Sequence, residues 1–313
     1  MTKKQNFYFK STNNRDRIHG VCWIPEDKKV RAVLQISHGM VEYIDRYKDL
    51  ARYLCSKGFA VVGHDHLGHG KSVKSEKDWG YLGENGFEYM VKDIHKVQRH
   101  FQRRFRGVPY FILGHSMGSF LLRYFLTKYG KEIDGAIIMG TGYYSGALTK
   151  LGCMLTTVIA KFKGWRYRSN MVNKMAFGSY NKAFEPARTP FDWLSRDRKM
   201  VDKYISEPQC QFVFTLNGYY ELFKGLNFIS KKDNIEKMPK KLPVLFMSGD
   251  ADPVGDSGDG VQKVYESFEN AGMRHMELYF YEDGRHELVN EINRKEVYED
   301  LYQWMREEIS LKH

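Results

Sequence analysis

Three residue types that together perform acyl transfer occur in this chain in an order that one fold can use. Ser116 lies in Gly114-His115-Ser116-Met117-Gly118, a Gly-x-Ser-x-Gly pattern. The apolar run Pro109–Leu113 precedes it, and Phe120, Leu121, Leu122, Tyr124 and Phe125 follow at helix-compatible spacing. That context predicts strand, sharp turn and helix, with the serine held in strained backbone and its hydroxyl exposed. The flanking glycines leave room where a side chain would strike neighbouring strand and helix backbone. A serine hydroxyl is a poor nucleophile at neutral pH. It needs a general base, and the base needs a carboxylate to fix its tautomer. Leu242–Ser248 reads as a strand running into Gly249-Asp250-Ala251-Asp252. Met276–Tyr281 reads as another, running into Glu282-Asp283-Gly284-Arg285-His286-Glu287. His286 thus follows the last strand, the position of a catalytic base. Spacing leaves the carboxylate open between Asp250 and Asp252. Asp256 and Asp259 lie further on, where aspartate favours the first turn of a helix.

The charge that develops on a tetrahedral intermediate needs preorganised N–H donors, each worth about 3 kcal/mol. The residue after the nucleophile, Met117, supplies one, and the loop after an early strand supplies the other. Arg31–Ser37 reads as that strand and His38-Gly39-Met40 as its loop, so Met40 is the second donor. His38 is expected to be structural, hydrogen-bonded to loop backbone. A third segment, Gly63-His64-Asp65-His66-Leu67-Gly68-His69-Gly70-Lys71-Ser72, carries three histidines. A zinc hydrolase of the His-x-His-x-Asp-His type would place aspartate at position 68, which is glycine here, and no distant ligand cluster matches. The segment reads as a glycine-rich turn pinned by polar residues. Neither metal nor cofactor is expected.

These segments together resemble the α/β-hydrolases of the monoacylglycerol lipase and lysophospholipase group, sometimes filed with serine aminopeptidases. The similarity is carried by His38-Gly39-Met40-Val41-Glu42 with Arg46-Tyr47, by Asp65–Ser72, by the Ser116 pentapeptide, by Gly249–Asp252, and by His286-Glu287. The resemblance implies Ser116 as nucleophile, His286 as base, Asp252 as the acid, and Met40 and Met117 as oxyanion donors. Family members often carry a smaller residue at the position of Met40, so this side chain is expected to narrow the acyl site.

The elements that must position these residues follow from pattern. Residues 6–10 and 17–24 suggest an opening hairpin. Strands and helices then alternate to Asp134–Met139, which argues a mostly parallel sheet with helices on both faces. From Thr141 to Asn234 strand signals fade and helical periodicity dominates. The expected organisation is an α/β-hydrolase core of residues 1–140 and 235–313, with a helical cap, 141–234, inserted over the site. In that insert Leu148, Leu151, Met154, Leu155, Val158, Ile159 and Phe162 recur at helical spacing, with Lys161, Lys163, Arg166 and Arg168 at the end. The bland expectation is an apolar face packed on the core, and the alternative a helix at a lipid interface. Phe212, Phe214, Tyr219, Tyr220, Leu222 and Phe223 form a second aromatic-rich stretch, which either lines an acyl pocket or packs the cap. Leu155, Ile159, Phe214 and Tyr219 are the expected acyl-pocket residues.

Composition narrows the classes. The 313 residues carry a formal charge of +11, which suits peripheral contact with anionic membranes or lipids. No nucleic-acid-binding motif accompanies it. No apolar run reaches the length of a membrane span, and the N-terminus lacks a signal-peptide core. Cys22, Cys55, Cys153 and Cys210 are scattered and read as free thiols in a reducing cytoplasm. The expected activity is hydrolysis of a lipid-like ester. An aminopeptidase with the same triad would need an acidic residue for the substrate amine, for which Glu185, Glu207 and Glu221 are candidates. A non-catalytic ligand-binding homologue is the remaining reading.

Overall fold

In the computed structural model, residues 1–311 are described. Eight strands form one sheet: β1 (Thr2–Lys10), β2 (Arg17–Pro25), β3 (Ala32–Ser37), β4 (Phe59–His64), β5 (Tyr110–His115), β6 (Gly135–Met139), β7 (Val244–Gly249) and β8 (Met276–Tyr281). Their spatial order is β1-β2-β4-β3-β5-β6-β7-β8. The first two strands form an antiparallel hairpin, β2 pairs antiparallel with β4, and every later pairing is parallel. The central strands β3–β7 are buried along their whole length. Continuous apolar runs such as Tyr110–Leu113 are what a parallel strand covered on both faces requires.

Helices α1 (Lys48–Ser56), α2 (Gly86–Arg104), α3 (Met117–Tyr129), α4 (Gly146–Lys163), α5 (Asn170–Phe177), α6 (Arg198–Ser206), α7 (Leu216–Ile229), the single turn α8 (Lys232–Ile235), α9 (Asp259–Asn270) and α10 (Arg294–Ser310) complete the chain. Side-chain alternation along each strand feeds two cores. Tyr110 and Ile112 join Ile94, Leu121, Val264 and Phe268 from α2, α3 and α9 on one face. Phe111 and Leu113 join Leu50, Leu54, Leu301 and Trp304 from α1 and α10 on the other.

Between β6 and β7 the chain forms α4–α8 and short 3-10 turns, with no strand. The packing of α4 reverses the bland expectation for its apolar stripe. Its buried residues are Thr149, Thr156 and Ala160, and Gly152 lies so close to Phe223 of α7 that a Cβ would meet the ring at 2.7 Å. Small side chains let the two helices approach, while of the large ones Leu155 and Ile159 are half-buried and Leu148, Leu151, Met154, Val158 and Phe162 are exposed, Phe162 to 84%. Periodicity identifies a helix, yet here the close-packed face is the one with little side-chain volume.

Candidate active site

Ser116 follows β5 at the N-cap position of α3 with φ +54° and ψ −121°, a conformation that costs a non-glycine residue about 1–3 kcal/mol. The surroundings hold it there. Its N–H donates to the Met139 carbonyl (3.0 Å), and its carbonyl accepts from the Ser119 amide and hydroxyl (2.8 and 2.6 Å). A Cβ at Gly114 would come within 2.3 Å of the Gly118 carbonyl oxygen, and one at Gly118 within 1.9 Å of the Ser37 oxygen. Both glycines are therefore demanded by the closeness of α3 to β5 and β3.

The loop after β7 resolves the two aspartates. Asp252 is buried with both carboxylate oxygens 2.9 and 3.0 Å from His286 Nδ1, and its Oδ1 also accepts from the Val254 amide (2.9 Å). Asp250 is exposed, and its side chain makes no hydrogen bond to His286. Asp259 opens α9, while Asp256 sits in the preceding turn with φ +51°. The segment between β6 and β7 reaches His286 directly. The Trp193 and Leu194 carbonyls accept from the amides of His286 (3.4 Å) and Glu287 (2.7 Å), and the Trp193 ring lies 5.1 Å from the imidazole centroid.

Met40 and Met117 line the same cavity as Ser116 and His286. Neither main-chain amide has a hydrogen-bond partner among the described residues. For Met117 this follows from its place in the first turn of α3, where the amide has no carbonyl one turn back. Beneath Met40 lies a buried network: Glu42 Oε1 accepts from the Gly39 amide (2.5 Å) and from Tyr47 OH (2.9 Å), and lies 3.1 Å from His115 Nδ1. Arg46 donates to Glu42 Oε2 (2.9 Å) and grips Glu287 through two bonds (2.5 and 2.6 Å). Burial opposes ionisation of Glu42, but the His115 hydrogen bond and the Arg46 charge hold its carboxyl well below the ordinary range. Burial likewise opposes charge on His115 and Arg46, and their carboxylate partners raise both.

The cavity above Ser116 has a volume of about 680 Å³ and walls drawn mainly from the insert, including Leu148, Leu155, Val172, Val213, Leu222 and Phe223. Of the four expected pocket residues only Leu155 lines it. Ile159 is half-buried, packed against the hydrophobic core away from the cavity lining. Phe214 is fully buried against His69, Phe212 and Tyr219, and Tyr219 turns its hydroxyl to Asn173 Oδ1 (2.6 Å). Phe214 packs against His69 and the Gly80 turn, while Tyr219 faces α5 through Asn173 and Phe177, so neither reaches the cavity. Among the candidates for holding an amine, Glu185 is exposed and Glu207 lies outside the cavity. Glu221 is buried elsewhere, accepting from the Asn85 and Phe87 amides at the start of α2.

The histidine-rich segment is built into the core. His38 Nδ1 bonds the Gly39 carbonyl (2.8 Å), which leaves Nε2 to accept from the His66 amide (3.0 Å). His69 Nδ1 bonds the Leu67 carbonyl, and His66 meets Ser37 Oγ. Asp65 accepts from the amides of Ile44 and Lys71 and meets His19 Nδ1 (2.8 Å). Burial pushes His64 and His69 down to about 3, and His38 and His66 in the same direction.

Residues 28–293 match the family described as serine aminopeptidase, S33. The chain belongs to that family. Among its relatives, human monoglyceride lipase is 26% identical over 288 residues, covering 88% of this chain and 82% of the relative. A probable lysophospholipase L2 of Haemophilus influenzae is 23% identical over 285 residues, covering 86% and 85%. The crystal structure of a highly thermostable carboxyl esterase from Bacillus coagulans in complex with glycerol superposes with a TM-score of 0.90 at 29% identity, covering 98% and 99% of the two chains. The sheet, its flanking helices and these neighbours make this an α/β-hydrolase fold. Of the residues that contact the site, Glu42, Arg46, Tyr47 and Glu287 were visible as family-like motif positions, but their mutual bonding was not. Trp193 carried no sequence signal, because its relevance depends on where the insert folds back.

Proposed function

We propose that this S33-family protein is a serine hydrolase that cleaves carboxylic esters of monoacylglycerol or lysophospholipid type through an acyl-enzyme. The observation that carries the reading is the pairing of Asp252 with His286 beside Ser116, under an apolar cavity. Ser116 Oγ attacks the ester carbonyl and gives its proton to His286 Nε2 while Asp252 steadies Nδ1–H. The Met40 and Met117 amides receive the oxyanion. Collapse expels the alcohol, which takes the proton from His286. Water then attacks the acyl-enzyme by the same route and releases the acid. All of this uses side chains and main-chain amides of the chain itself.

Residues 141–234 act in this reading as the cap, supplying the acyl-binding wall through Leu155 and its neighbours. The ester reading is favoured over an aminopeptidase by the acidic inventory. Among the described residues the only carboxylates at the cavity wall are Glu42 and Glu287, and both are engaged by Arg46. A substrate ammonium would find no free countercharge among the described residues. The outward stripe of α4, continued by exposed Met171 and Met175 of α5 and followed by exposed Lys161 and Lys163, supports peripheral contact with an anionic lipid surface. No helix among the described residues is long and apolar enough to cross a membrane. Four unpaired cysteines support a reducing, cytoplasmic setting.

The test is hydrolysis of a p-nitrophenyl ester series from acetyl to palmitoyl, with Ser116→Ala as control. Turnover that depends on Ser116, with KM falling as the chain lengthens, is expected. A preference for acetyl would remove the lipid-like acyl group from the reading. Absence of Ser116-dependent turnover on esters, with cleavage of aminoacyl amides instead, would replace it by the peptidase.

A further inference from the structure

Four ionisable side chains that no acyl-transfer step uses are buried together below the oxyanion loop: Glu42, Arg46, His115 and Glu287. Two carboxylates and one guanidinium sum to one negative charge, and an uncompensated buried charge is costly. We propose that His115, the residue before the nucleophile, is a fixed imidazolium that completes a neutral quartet and positions the oxyanion loop and the catalytic histidine relative to each other.

The ring geometry supports double protonation. His115 Nε2 faces the carbonyl oxygen of His286 (3.1 Å), an acceptor, so it donates. Nδ1 faces Glu42 Oε1 (3.1 Å), also an acceptor, and the Tyr47 hydroxyl (3.0 Å). Tyr47 has a single proton; given to the carboxylate at Glu42 Oε1 (2.9 Å), it leaves only an oxygen lone pair for Nδ1. A neutral ring would aim a lone pair at a carboxylate. Facing His115 are Glu42 and Tyr47 from the segment after β3, and His286 from the loop after β8, with Arg46 and Glu287 one bond further. His38, kept neutral by burial, is the other titratable neighbour.

The consequence is mechanical. Glu42 Oε1 accepts both from His115 and from the Gly39 amide, next to the donor Met40. The opposite edge of the same ring holds the main chain of His286. One cation therefore ties together the oxyanion loop, the turn bearing Ser116 and the loop bearing the base, which are 77 residues (39 to 116) and 170 residues (116 to 286) apart in sequence. His115 touches no reacting atom and is a positioning residue.

The test reads protonation directly and does not depend on turnover. In the uniformly 15N-labelled protein at pH 8, long-range 1H–15N spectra should include a His115 signal with both ring nitrogens protonated, whereas an ordinary histidine is neutral there. His115→Gln should delete that signal. Glu42→Gln, which removes the countercharge, should convert it to a neutral tautomer, and either variant suffices for assignment. A His115 ring with one bare nitrogen at pH 8 would overturn the proposal. The positioning role rests on the serine-hydrolase reading. His115→Gln, which keeps an N–H donor for the His286 carbonyl, should lower kcat roughly tenfold or more with KM within about threefold. Unchanged kcat would refute the positioning role, whereas loss of that reading would show as an inactive parent enzyme with the protonation result intact.

Discussion

Replacing Asp252 by asparagine separates the two candidate acids by a mechanism the hydrogen bonds dictate. Asp252 Oδ1 accepts from the Val254 amide and lies 3.0 Å from His286 Nδ1, while Oδ2 lies 2.9 Å from the same nitrogen. In Asp252→Asn the Val254 amide keeps the side-chain oxygen at the Oδ1 position. The new NH2 group then occupies the Oδ2 position, facing Nδ1. Two donors cannot share that contact, so the imidazole proton moves to Nε2, the atom that accepts the proton of Ser116 in the proposed mechanism. The equivalent change in serine proteases lowers kcat about 10⁴-fold, which corresponds to roughly 5.4 kcal/mol of transition-state stabilisation. The two side chains are nearly isosteric, so the buried site should retain its packing. Asp250→Asn, at an exposed position with no contact to the base, should stay within about threefold of the parent. The assay is kcat and kcat/KM on a p-nitrophenyl ester at pH 7.5, with circular dichroism to verify folding. A loss below about tenfold for Asp252→Asn, or an equal loss at Asp250, would refute the tautomer argument.

Stability should decline on acidification from pH 6.5 towards 3, because His64 and His69 stay neutral in the fold down to about 3 but take up protons in the unfolded chain from about 6.5. The depressed folded-state values place their contribution above the unfolded pKa and remove it as pH falls, at about 1.4 kcal/mol per pH unit for each histidine; urea midpoints that do not change between pH 7.5 and 5 would contradict this. The exposed stripe of α4 makes a separate prediction. Met154→Ser with Val158→Ser and Phe162→Ser should weaken co-sedimentation with phosphatidylglycerol vesicles while turnover of a soluble short-chain ester stays within about twofold; undiminished sedimentation would remove the lipid-facing role of that stripe.

Much of the fold was legible because parallel strands buried on both faces need unbroken apolar runs, and those runs mark β3–β7 to within about two residues. The turn at Ser116 was legible for a similar reason: Gly114 and Gly118 stand where backbone oxygens leave no space for a Cβ. These are local constraints, so local sequence records them. The choice between Asp250 and Asp252 was not local, since both follow β7 and only the placement of the 284–287 loop decides which carboxylate meets His286. Leu155 was expected to line an acyl pocket and lines the cavity above Ser116, whereas Ile159, Phe214 and Tyr219, expected beside it, do not line that cavity. Helical periodicity reports that a stripe is apolar, but not which side a neighbouring helix approaches. In α4 that approach was decided by Thr149, Gly152, Thr156 and Ala160, whose small volume admits α7 and leaves Met154, Val158 and Phe162 exposed. The Glu42–His115–Glu287 network was likewise beyond the sequence alone. Its members are unremarkable one by one, and their charges are coupled only because the fold buries them together, where each one left unpaired would be costly.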